Sequence, residues 1–136
     1  TSQLTASTTI NGSRASKLVF DHTGQYFVTL RCQGVNEDNV AHEMELWAKD
    51  SGVNYPFSNT RYDVPVRKNA TTWGHTVADI SGIFTVTDPA NSYLEMAWWS
   101  DSLLVYLESA AANTSPTRPA IASVILTVSM LSAETP

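Results

Sequence analysis

Turn signals cut this sequence into short pieces, and that punctuation constrains the fold more than any other feature. Asn11-Gly12, Asp21–Gly24, Gly34–Asn39, Asp50–Gly52, Asp88–Asn91, Ser100–Ser102 and the proline-bearing stretch Ala110–Pro119 each interrupt the chain. Glycine reaches positive φ, and Asn, Asp and Ser hydrogen-bond their own backbone, so such clusters turn the chain. The pieces between them are rich in Val, Ile, Thr, Tyr and Phe, which fit a pleated surface. Strands are expected over Lys17–Phe20, Gln25–Cys32, Thr76–Val86, Ser92–Trp99, Leu103–Ser109 and Ala122–Leu131, with a short one near Leu4–Ile10. Val40–Lys49 suits a strand or a helix by pattern; the turn Asp50–Gly52 behind it favours a strand. Pro56 and Pro65 make Tyr55–Arg67 a loop with an edge strand, since proline cannot donate to a ladder. Gly82 is expected to mark a bulge or bend. Ala122–Leu131 is so apolar that a central place in its sheet is expected. About eight short strands and no helix imply an all-β fold, a sandwich or jelly roll.

The segment Ser92–Trp99 shows how such a sheet is covered. Neighbouring side chains on a strand point to opposite faces. Leu94, Met96 and Trp98 share one face, while Tyr93, Glu95, Ala97 and Trp99 share the other. Both faces carry aromatics, whereas a strand wet on one side is polar there. The expectation is that protein covers both sides, one of them through a second copy of the chain. The composition agrees: 43% of the residues are apolar and only 15% charged. A surface partly covered by partners needs few charges.

Other features exclude function classes. The net charge is −5 with no basic cluster, which argues against nucleic acid as a partner. The single cysteine, Cys32, cannot form an intrachain disulfide and reads as a buried, inert thiol. No apolar run is long enough to span a bilayer, and no signal-peptide pattern is present. His22, His42 and His75 show no metal-ligand spacing with Cys32 or a carboxylate. There is no nucleophile elbow, phosphate loop or dinucleotide fingerprint, so no enzyme and no cofactor is expected. The carboxylate pairs Glu43 with Glu45 and Glu37 with Asp38 read as a solvated face. Among the tryptophans, Trp73 stands in the polar stretch Asn69–His75 and is the candidate receptor contact.

At this stage the chain resembles a known family. "LVFDHTGQYFVTL", with Phe20, Gly24, Tyr26 and Phe27, resembles the hallmark of C1q/TNF-like domains. "SGIFTVTDPANSYLEMAWWSDSLLVYLESA" is similar to that family's later half, and "TSPTRPAIASVILTVSML" to the closing strands of phage virion proteins with C1q-like heads. The similarity runs from about Leu18 to Leu131. There is no collagen-like repeat, and Asp50–Trp73 departs from the animal members.

The resemblance implies a jelly roll assembled as a homotrimer. Residues 1–16 would be a lead-in segment from a removed shaft and 17–136 the C1q/TNF-like domain. Phe27, Arg31, Tyr93, Glu95 and Trp99 would line the trimer interface, with Arg31 pairing Glu95, within or between chains, from strands of one sheet. A small ligand or ion on the threefold axis fits the same picture. The implied function is a non-enzymatic phage virion tip, a tail-needle knob or fibre head. It would contact a host cell-surface receptor, a glycan among the options. The alternative is a carbohydrate-binding, lectin-like module of a larger secreted protein.

Overall fold

The computed structural model describes residues 4–7 and 17–133, with side chains from 17 to 131. Among the described residues twelve strands follow one another: β1 (Leu4–Ser7), β2 (Lys17–Phe20), β3 (Gly24–Asn36), β4 (His42–Asp50), β5 (Val53–Asn54), β6 (Thr60–Val64), β7 (Gly74–Val86), β8 (Tyr93–Ser100), β9 (Val105–Leu107), β10 (Asn113–Thr114), β11 (Thr117–Arg118) and β12 (Val124–Ala133). No helix occurs among the described residues. All pairings are antiparallel. A six-stranded sheet runs β1-β2-β8-β4, with β5 and β6 both on the far side of β4. A four-stranded sheet runs β12-β3-β7, and β9 pairs with β3 beyond the end of β12. β10 and β11 form a separate hairpin.

Strict alternation builds the core. Along β3, Tyr26, Val28, Leu30 and Cys32 are buried, while Gln25, Phe27 and Arg31 face out. They meet Leu18, Phe20 and Leu94 from the other sheet in one cluster, and Met44, Leu46 and Val64 in a second. Both clusters draw on both sheets, so the sheets lie face to face as a sandwich. Phe20 anchors the first cluster, its ring 4.6 Å from Tyr26 and 5.5 Å from Phe84. Each such ring contributes roughly 1.5–3 kcal/mol through burial. At one border the Tyr62 hydroxyl donates to the Asp79 carbonyl and accepts the Asp79 N–H, joining β6 to β7 across the sheets.

Two points need particular backbone chemistry. The β4–β5 hairpin turns at Ser51 and Gly52, both at positive φ (50° and 87°). A two-residue turn of that kind matches the twist of its strands. At Gly74 a Cβ would lie 2.0 Å from the Pro65 carbonyl oxygen, so only glycine lets β7 start there.

The structure corrects several expectations. β12 is not central: among the described residues it pairs with β3 alone and lies at the sheet's edge. Gly82 makes no bulge, because the β3–β7 register is unbroken from Gly24–Val86 to Asn36–Gly74. β3 runs on through Gly34 to Asn36, where a loop was expected. There Asn36 is fully buried and donates to the carbonyls of Val40, Val64 and Pro65, while its own carbonyl accepts from the Asp38 N–H. The strand expected over Leu103–Ser109 shrinks to Val105–Leu107, and Ala110–Pro119 holds the whole β10–β11 hairpin. Of the expected lead-in strand, Leu4–Ser7 pairs with β2, and Thr8–Ile10 lie outside the described residues.

Candidate functional site

The five residues expected in one interface stand on opposite sides of the sandwich. Phe27 and Arg31 belong to β3 and point out of the four-stranded sheet. Tyr93, Glu95 and Trp99 belong to β8 and point out of the six-stranded sheet. The expected Arg31–Glu95 pair within a chain is therefore overturned, because β3 and β8 lie in different sheets. Arg31 stands across from Asp79 on one side and Ile125 on the other. Glu95 stands across from Lys49.

The outer face of the four-stranded sheet is poor in charge. Thr29, Ser81 and Thr127 are cross-strand neighbours at its middle. Phe27 and Ile83 are directly opposed and are 40% and 53% exposed. Ile125 and Val77 add exposed apolar surface; the charges are Arg31 with Asp79 and, toward one end, His75 with Glu108, 3.1 Å apart. β12 closes the sheet in an open edge, where Leu131 is exposed, as are Val124 and Leu126 on the inward side, across from Cys32 and Leu30. A bulge between Met130 and Ser132 shifts its register before the last two pairs, Ser132–Gln25 and Ala133–Gly24.

The outer face of the six-stranded sheet is a polar lattice with aromatics set into it. Glu45 on β4 is the hub. Its carboxylate accepts from Asn59 Nδ2 at 2.6 Å and from Arg61 Nη2 at 3.1 Å, and these contacts hold its pKa below the ordinary value. Arg61 also reaches Glu43 at 3.8 Å. Trp47 Nε1 donates to Asn54 Oδ1 at 2.9 Å. Tyr93, half-buried, lies under the Lys17 ammonium, 4.2 Å from its ring centre. Trp99 is 47% exposed.

Two grooves flank the loop between β5 and β6. One, of about 370 Å³, opens toward the core between this loop and β7, over Val28, Leu30, Ile80 and Leu94. Gly82 is part of its cause: it takes an inward-facing position between Ile80 and Phe84, and a Cβ there would touch nothing within 4 Å. The other, of about 310 Å³, lies over Glu45, Trp47 and Trp99. Trp73, half-buried in the β6–β7 connection, lines neither.

At the end of the sandwich His42 joins three segments. Its ring nitrogens lie 2.7 Å from an Asp38 oxygen and 3.1 Å from an Asp101 oxygen. The Asp38 hydrogen bond, with the charges of both carboxylates, raises the His42 pKa, and the His42 bond lowers that of Asp38. Cys32 is buried at 1% exposure, and burial pushes its thiol up to about 11, which makes it a poor nucleophile. Among the described residues no group of three His, Cys, Asp or Glu side chains could hold a metal ion. No helix there is long and apolar enough to cross a membrane.

Sequence reasoning missed the Glu45–Trp47–Trp99 grouping. Alternation places Glu45, Trp47 and Trp99 outward, but the β4–β8 register that unites them is a property of the fold. No protein-family model and no curated protein matches the chain.

Proposed function

We propose that the chain is the jelly-roll head of a homotrimeric phage virion tip that contacts the host surface without catalysis. The observation that carries this reading is the apolar, charge-poor outer face of the four-stranded sheet, continued along the edge of β12. A long, apolar strand edge is an aggregation hazard unless another element or subunit covers it. The connections support the jelly roll as well: β2 to β3, β3 to β4, β6 to β7 and β7 to β8 each pass from one sheet to the other. Meanders keep successive strands together, whereas jelly rolls alternate them between sheets.

A closed ring needs two unlike patches set at an angle. A face and an adjoining edge meet that condition; two opposite faces would stack subunits in a line. On this reading Phe27, Arg31, Ile83 and the β12 edge form the interface, and Tyr93, Glu95 and Trp99 stay outside it. An axial ligand or ion belongs near Arg31. Three copies of one weak site then hold a receptor by avidity. Light scattering on the chain tests the assembly. A mass three times the 14.8 kDa of one chain is expected, and a monomer at micromolar concentration overturns the reading.

A further inference from the structure

The aromatic groove on the six-stranded sheet serves neither the core nor the proposed interface. Trp47 pairs with Ala97 and Trp99 with Glu45, so the two indoles are diagonal neighbours on one face. Diagonal cross-strand positions are within reach of aromatic side chains. Phe57 stands at the groove's rim, wholly exposed and at φ 61°, a conformation rare for a bulky residue. Hydrogen bonds to the backbone hold its loop there: Ser58 Oγ donates to the Tyr55 carbonyl at 2.8 Å and accepts the Ala48 N–H at 3.1 Å. The Tyr55 N–H donates to the Ala48 carbonyl at 2.9 Å. A strained, displayed aromatic in a pinned loop points to a contact role.

We infer that this groove binds a neutral saccharide. A pyranose ring has apolar C–H faces and a belt of hydroxyls. Indole faces suit the former, and fixed amides and carboxylates the latter. The Trp47 N–H is engaged by Asn54, which fixes the ring and leaves its face as the contact surface. Asn59 and Glu45 orient each other, and among the described residues Asn59 Oδ1 and Asn54 Nδ2 have no hydrogen-bond partner. An amide oxygen accepts and an amide NH₂ donates, which is what vicinal hydroxyls require. The groove volume, about 310 Å³, falls at the small end of ligand sites. Glu43 and Glu45 outweigh Arg61 nearby, which disfavours an anionic sugar. As the receptor class of a virion tip the inference rests on that reading, whereas the binding itself needs one chain only.

The test is saturation-transfer NMR with cellotriose, maltotriose and chitotriose, backed by titration of tryptophan fluorescence. Saturable binding of at least one is expected, weakened tenfold or more in Trp99→Ala. Ile83→Arg, on the other sheet, should bind the same sugar unchanged even as a monomer, which separates this test from that of assembly. Asn59→Ala, in an exposed loop, carries the same expectation if Trp99→Ala does not fold. No saturable binding of any of the three, or affinity unchanged in these groove variants, overturns the inference. So does preference for a sulfated trisaccharide over all three.

Discussion

The two outer faces of the sandwich are made of similar antiparallel strands and carry opposite chemistry. On the six-stranded sheet, Glu43, Arg61, Glu45 and Asn59 bond one another around Trp47 and Trp99. On the four-stranded sheet, Phe27, Ile83 and Ile125 stand among threonines and serines. Alternation decides which residues leave the core; it does not decide what awaits them outside. A lattice of charges tolerates water, whereas a face of Phe, Ile and Thr with an open β12 edge is suited to another protein surface. On the proposed reading, assembly would fall to one sheet and recognition to the other.

The strongest way to break that division is to put a charge on the apolar face. Ile83→Arg should reduce a trimer to a monomer by light scattering, and Trp99→Arg should leave the mass unchanged; the reverse result would exchange the roles of the faces. Next in size is Leu46→Ala. Leu46 is wholly buried between the sheets, so the loss should be about 2–5 kcal/mol in chemical denaturation. Because both faces stand on that core, assembly and groove should fail together on heating.

Smaller effects sharpen the picture. Gly82→Ala should stabilise the chain by about 0.5–1 kcal/mol, since a strand-interior glycine gives up backbone entropy and its Cβ meets no neighbour. A fall in stability would show that the groove beneath it is tighter than its geometry. The least effect concerns His42, at the end where both sheets meet. Its pKa lies above 6.5 in the fold, so its contribution is complete below pH 6.5 and fades as pH rises through the raised value. The Asp38 pKa lies below 3.8, so its contribution is present above pH 3.8 and fades as pH falls through the lowered value. Stability against pH should crest between these limits, and His42→Gln should flatten the alkaline side of the crest.

Much of the fold was legible because burial follows a period of two. Lys17–Phe20, the inward set Leu94, Met96 and Trp98, and the turn at Asp50–Gly52 all stand where alternation and turn chemistry put them. Gly34 misled because glycine reads as a turn. Here it lets Met44 approach, with a Cβ only 2.7 Å from the Met44 sulfur. β12 misled because its apolar residues face outward as well as inward, and an exposed apolar edge looks like a central strand in one dimension. The site was less legible than the fold. Trp47 and Trp99 lie far apart in the chain, and Trp73, conspicuous in its polar stretch, lines neither groove.

The pairing of β3 with β12 has a consequence for biosynthesis. The two strands lie about a hundred residues apart, and a ribosome adding roughly 5–20 residues per second takes about 5–20 s to supply the second. β7 emerges earlier and occupies one side of β3, so a nascent chain holds a half-finished sheet until β12 arrives. The last rung of the ladder to be synthesised also carries much of the proposed subunit contact. Until β12 has emerged, a nascent chain lacks part of the surface by which the proposed trimer would form, so the order of the strands would delay that association.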